Sequence, residues 1–318
     1  MELKNTTTVM FANFKLVYRI IAYLFIVFLV LGAISLSLFL PAQRHVLARP
    51  DVKDEIEAIR EETGSFLSDD GEYGTGGLIS SVAAHISNIF NAIKTDTGFL
   101  AAAIALLVCI YFLGYFLISL IDLPMAGVLN AFMSSALSES MLGYTVKDFK
   151  ISLKYALANT IVGAPFHILI VLIVYAVITL LFPVMNVAAL ALALLAGVTL
   201  LSIKSALCAG WLPALIFSED KRVWKAFKIG IQLFKTRFRD ICGVFTIAVF
   251  VVYMLIAAFA VVTFGIMIVV SFALLLLFRR AAELIFYYVL NGRRFYVDAK
   301  TIVDSRALAN RTELQEDI

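Results

Sequence analysis

Residues 155–203 read YALANTIVGAPFHILIVLIVYAVITLLFPVMNVAALALALLAGVTLLSI, 49 residues without one Asp, Glu, Lys or Arg. A helix needs about 20 apolar residues to cross a hydrocarbon core ~30 Å thick, and lipid offers no partner for an unpaired backbone group. The run therefore holds two crossings, and FPVMN at residues 182–186 supplies the turn between them. The surrounding composition agrees with this reading, being 62% hydrophobic and 15% charged over 318 residues. Soluble domains average about 45–50% apolar and ~25% charged.

Working outward, residues 20–40 and 98–121 each form one further uncharged run, and residues 241–278 hold two with a turn near 263–265. The expected fold is all-α, a polytopic membrane helix bundle with six transmembrane helices in a single membrane domain over 1–318. The spans are about 20–40, 98–121, 157–182, 187–207, 241–262 and 266–288. Residues 20–40 exceed the ~7–15 residues of a signal-peptide core, and no small-residue cleavage site clearly follows, so this run reads as an uncleaved anchor.

Lys and Arg set the orientation, because positive charge is retained on the cytoplasmic side. The N-terminal segment, residues 122–154, residues 204–240 and the C-terminal segment carry 3, 3, 8 and 7 of them, 21 of the 26 in the chain. Residues 41–97 carry 5 against 10 acids. Both termini are therefore expected in the cytoplasm of a cell-membrane protein, with residues 292–318 as a cytoplasmic tail.

Residues 41–97 are expected to form a helical insertion outside the membrane. Val52, Ile56 and Ile59 share one helical face, as do Ile79, Val82, Ile86, Ile89 and Ile93, and SDDGEYGTGG separates the two helices. Asp69, Asp70 and Glu72 lack the alternating donors of a calcium loop and read as a solvated linker. His45 and His85 show no third ligand. Cys109, Cys208 and Cys242 lie in or beside apolar runs without paired spacing and read as small buried hydrophobes, so no metal and no cofactor is expected.

Residues 221–240, KRVWKAFKIGIQLFKTRFRD, interleave seven basic residues with Trp224, Phe227, Phe234 and Phe238. On one helix the aromatics and Ile231 fall within an arc of about 80°, flanked by Lys225 and Lys228 among others. That is the pattern of an interfacial helix with aromatics at the acyl boundary and Lys toward anionic head groups. It does not fit nucleic-acid binding, which exposes aromatics for stacking, so the expected partners are membrane lipids and no nucleic acid. A membrane-protein partner or a homo-oligomer is also compatible.

Phe227-Lys228-Ile229-Gly230-Ile231 echoes Phe149-Lys150-Ile151-Ser152-Leu153 and, more faintly, Phe14-Lys15-Leu16-Val17-Tyr18. Ser218-Glu219 echoes Ser138-Glu139. Three pseudo-repeated hairpins, each headed by an amphipathic cytoplasmic helix, follow from that pattern. With its Ser-Glu turn and the run VWKAFKIGIQLFKTRFRDICGVF, the chain resembles bacterial multipass membrane proteins of unassigned function. It is similar also to the membrane domain that precedes some glycerophosphodiester phosphodiesterases. The resemblance implies topology only, because the sequence after the sixth span leaves no room for a phosphodiesterase barrel.

The polar candidates lie near inner span ends: Asp122, Lys204, and Arg279, Arg280 and Glu283 in FRRAAELIFYYVLNGRRF. Arg279 and Glu283 are four apart and share a helix face. Two readings stay open. Intramembrane charges face a bundle interior or cavity and bind an anionic head group or solute, or they pair structurally and snorkel, with Tyr287 and Tyr288 as interfacial anchors. His167 reads as a proton relay or as a hydrogen-bonding residue beside the kink of Pro165. No HExxH, GxSxG, Walker A or dinucleotide motif occurs, so no enzyme activity is expected. The leading functional reading is a non-enzymatic scaffold, assembly or lipid-environment factor, and the alternative is a transporter or permease for a small or anionic solute or lipid.

Overall fold

The computed structural model describes residues 2–67, 75–95, 97–135, 140–185, 187–259, 263, 266–298 and 300–304. In chain order the helices are α1 (Glu2–Ala12), α2 (Lys15–Leu47), α3 (Pro50–Leu67), α4 (Thr75–Thr95), α5 (Thr97–Ser119), α6 (Asp122–Ser135) and α7 (Met141–Lys147). They continue as α8 (Phe149–Met185), α9 (Val187–Cys208), α10 (Trp211–Phe217), α11 (Val223–Phe234), α12 (Phe238–Phe259) and α13 (Ile266–Leu290). Two short strands follow, β1 (Arg294–Tyr296) and β2 (Ile302–Asp304).

The fold is all-α. Five stretches among the described residues are long and apolar enough to cross a membrane: Lys15–Leu40, Gly98–Ser134, Phe149–Met185, Ala188–Phe217 and Phe238–Ile256. They are compatible with an integral membrane protein, and large apolar side chains such as Val171, Tyr175, Leu180 and Val184 on α8 are exposed along them. Such a surface is stable against lipid and unstable against water. Of the turns expected between spans, Asn186, Phe264 and Gly265 lie outside the described residues, as do Ser138 and Glu139.

The chain divides into two compact units, Met1–Val27 with Tyr115–Ile318, and Phe28–Gly114. In the larger unit the second half of α13 is the central pillar, packed by α1, α6, α10 and α12. From residue 276 to 289 every residue except Arg279 is buried. A helix buried all round is a core helix rather than a surface one, which corrects the interfacial role expected for Tyr287 and Tyr288. Tyr288 instead donates to Asn130 Oδ1 at 2.9 Å, and Tyr287 stacks on Phe217 with centroids 4.9 Å apart. Gly292 ends the pillar at φ 60. Arg293 N then reaches back to Tyr288 O at 3.0 Å, the left-handed cap that glycine adopts without a Cβ clash.

Two short helices fill the space beside the pillar. Both α6 and α10 carry Leu-Pro in their first turn, Leu123-Pro124 and Leu212-Pro213, where proline's missing N–H costs no helical bond. Trp211 opens α10, is 1% exposed and donates from Nε1 to Val223 O at 2.9 Å. Its ring lies 4.5 Å from Phe227 and 5.3 Å from Tyr155, joining α11 and α8 to α10.

The segment 221–240 is not one helix. α11 ends at Phe234, an elbow occupies residues 235–237, and α12 begins at Phe238. The buried face of α11 is Val223, Ala226 and Gly230, while Trp224 is 53% exposed and Phe227 half-buried. Small residues permit the tightest approach to α10, so they take the packed stripe and leave the aromatics on its shoulder. In contrast, the Phe149–Leu153 copy of the motif runs without a break into α8. Past the pillar, the start of the tail forms two strands: β1 and β2 pair antiparallel with Phe295 opposite Val303, and Phe295 is 1% exposed.

In the smaller unit α3 and α4 pack together, but not through the expected apolar stripes alone. Val52 is buried, yet Ile56 and Ile86 are exposed, and the side chains of Ile79, Ile93 and His45 lie outside the described set. Between the helices His85 Nδ1 lies 2.5 Å from Glu55 Oε2, and Nε2 lies 3.4 Å from Glu62 Oε1. Asn88 donates to Glu55 at 3.0 Å and Ser81 to Glu62 at 2.8 Å. Cys109 is exposed, contrary to expectation, whereas Cys208 is buried and Cys242 partly so.

Hydrogen bonding to Glu55 and Glu62 raises the His85 pKa from its usual 6.5. Bonding to Ser81 and His85 lowers that of Glu62 from 4.5. The His85 contribution is thus complete below pH 6.5 and lost as pH rises through the folded-state value; that of Glu62 is complete above 4.5 and lost on acidification. Amide exchange in α4, corrected for intrinsic rates, should be slowest near pH 5 to 6 and faster at about pH 8. In His85→Gln the loss of protection toward high pH should vanish. A second measurement concerns Gly230, where a Cβ would lie 2.5 Å from the Gly210 carbonyl carbon and 2.6 Å from Trp211 N. Gly230→Ala should destabilise the protein by about 1–3 kcal/mol in detergent unfolding, while Gly243→Ala, which meets nothing within 4 Å, should not.

Candidate functional site

Four of the five expected polar residues converge on the pillar. Asp122 is the first residue of α6, where the helix dipole favours a carboxylate, and it faces Arg280 of α13. The guanidinium grips it with two bonds, Nε to Oδ1 at 3.0 Å and Nη2 to Oδ2 at 2.5 Å. Arg280 Nη1 donates at 2.5 Å to Glu283 Oε2, and Arg279 Nε donates at 2.8 Å to Glu283 Oε1. Asp122, Arg280 and Glu283 are 2%, 1% and 0% exposed. Arg280 therefore does not snorkel: its fork is used up on two carboxylates held in the core, the bidentate geometry for which arginine is suited. Arg279 keeps 17% of its side chain exposed.

Lys204 of α9 makes a different contact. Its ammonium donates to Tyr115 Oη at 3.1 Å and lies 2.9 Å from His167 Nε2. With Lys204 as donor, the imidazole accepts at Nε2 and carries its proton on Nδ1. The Tyr115 hydroxyl occupies the place that a Gly163 Cβ would take, so glycine there lets α8 and α5 close on the lysine. Lys204 is 3% exposed, and among the described residues no carboxylate pairs with it. Together the α13 cluster and Lys204 hold two carboxylates, two guanidiniums and one ammonium.

No protein-family model, curated protein or solved structure matches this chain. The site is consequently read from its own geometry.

The expected membrane-interface residues do not join this cluster. Trp224, Lys225 and Lys228 are exposed on α11, with Lys225 paired to Asp220 at 3.0 Å. Phe227 and Phe238 are half-buried, and the Phe234 side chain lies outside the described set. The sequence does not single out Tyr115 and Trp211, which lie in apolar runs and carry a phenol hydroxyl and an indole N–H as their polar groups. The Leu-Pro pairs opening α6 and α10 are the signal that points to the broken helix ends where Asp122 and Trp211 sit.

Removing Arg280 leaves Asp122 and Glu283 buried without their shared cation. Arg280→Ala should lower stability by about 3–5 kcal/mol, read as a shifted unfolding midpoint in detergent. Arg279→Ala, at the exposed edge of the cluster, should cost less.

Proposed function

We propose that the chain is a six-span integral membrane protein in which α13 is the sixth span, with both termini in the cytoplasm of a cell-membrane protein. Its role is that of a non-enzymatic scaffold, assembly or lipid-environment factor. The observation that carries this reading is the mutual pairing of the buried carboxylates with Arg280: Asp122, Arg280 and Glu283 satisfy one another and hold α6 against α13. A transport path needs such groups open to solute, whereas a fixed, filled contact gives a rigid frame. The distribution of Lys and Arg supports the orientation. The matching Leu-Pro starts of α6 and α10 support the pseudo-repeat.

One observation favours the alternative, a permease for an anionic solute. Lys204 has only neutral partners, Tyr115 and His167, so an ammonium there leaves the cluster with one positive charge in excess.

Proteoliposomes separate the two. The scaffold reading expects uptake of phosphate and small carboxylates equal to that of empty vesicles; saturable uptake abolished by Lys204→Met would overturn it in favour of transport. The topology is tested on a chain lacking its three native cysteines. Single cysteines at Glu61 and Lys300 should label from opposite sides of the membrane, and labelling from one side contradicts six spans.

A further inference from the structure

At the elbow between α11 and α12 the structure has a feature that the charge cluster does not use. A cavity of about 290 Å³ opens between α9, α11 and α12, walled by Ala206, Leu207, Ile231 and Phe238, with Lys235 as its one charged residue. Lys235 is exposed and, among the described residues, forms no ion pair. Its neighbour Arg237 is engaged, lying 3.5 Å from Glu2 of α1. The apolar wall and the free cation thus stand at one place, where α12 and the apolar stretch Phe238–Ile256 begin. In a bilayer the start of an apolar crossing marks the boundary between acyl chains and head groups.

We propose that this cavity is a binding site for one anionic phospholipid, with part of an acyl chain against Ala206, Leu207, Ile231 and Phe238 and the phosphate at Lys235. The inference rests on the lipid-environment reading above and gives it a specific ligand class. The volume falls just below the ~300–1,000 Å³ of small-molecule sites, enough for a segment of one chain and not for a whole lipid. The charge argument selects the head group: a desolvated phosphate gains a charge-assisted bond from the ammonium, and a zwitterionic lipid brings a second cation to the same spot. Arg239, exposed four residues on from Lys235, adds to the same positive field.

The test is native mass spectrometry of the full chain in detergent with equal amounts of phosphatidylglycerol and phosphatidylcholine. The wild type should retain several-fold more phosphatidylglycerol. Lys235→Glu should level the two lipids, whereas Lys228→Glu, on the exposed side of α11, should leave the preference intact. Ile231→Trp and Leu207→Trp should each fill the cavity and lower retention of both lipids, in protein whose unfolding midpoint matches wild type. Equal retention of both lipids by the wild type would overturn the proposal, as would equal loss in Lys228→Glu and Lys235→Glu, which marks a diffuse basic face. Oleate displacing phosphatidylglycerol at equal concentration would overturn the phospholipid assignment, and millimolar inorganic phosphate should displace nothing. A failure here leaves the proteoliposome result standing, so the lipid site and the scaffold reading are judged separately.

Discussion

The larger unit depends on the bidentate bond from Arg280 to Asp122. Burying a guanidinium in a low-dielectric core is costly unless its donors are met by carboxylates in good geometry. Asp122 at the start of α6 and Glu283 one turn along α13 meet that condition. The geometry leaves α6 little freedom, because both carboxylate oxygens are engaged by one planar fork. A mismatch would expose buried charge to an apolar surrounding. The bond therefore sets where the short helix lies on the pillar, and the apolar side chains packed around it exclude water from the pair.

Around that contact, packing is governed by small residues and a single large one. Gly230 brings α11 onto the Gly210–Trp211 backbone, and Trp211 fills the remaining space against Tyr155 and Phe227. Polar side chains within the apolar helices act as ties of the same kind: Asn159 donates to Ser119 at 2.9 Å and Tyr23 to the Leu117 carbonyl at 2.6 Å. Where lipid supplies no hydrophobic drive between helices, close approach and interhelical hydrogen bonds do the joining. The exposed apolar flanks of α2 and α8 are the complement of this arrangement.

The helices were largely legible in the sequence, because the absence of charge over about 20 residues is itself the requirement for a span. The described part of residues 155–203 falls in α8 and α9. The polar candidates on α13 were legible as well, since charge in an apolar run stands out. What could not be read was their exposure. Arg280 as a snorkelling residue and Arg280 as a buried clamp have the same sequence signature, and only the position of Asp122, 158 residues away, separates them. His85 shows the same limit in the smaller unit: nothing near it in sequence announces Glu55 and Glu62 as its partners.

By itself, then, the sequence determined the all-α class, the positions of the apolar helices and the residues able to carry charge within them, because these follow from local composition and helical period. The tertiary structure decided which charges neutralise one another, which face of α11 is packed, that the segment 221–240 bends at residues 235–237, and that the tail after α13 forms a hairpin. Those outcomes depend on contacts between residues far apart in the chain. Pairwise distance, which composition and period do not encode, is what converts a buried charge into a clamp.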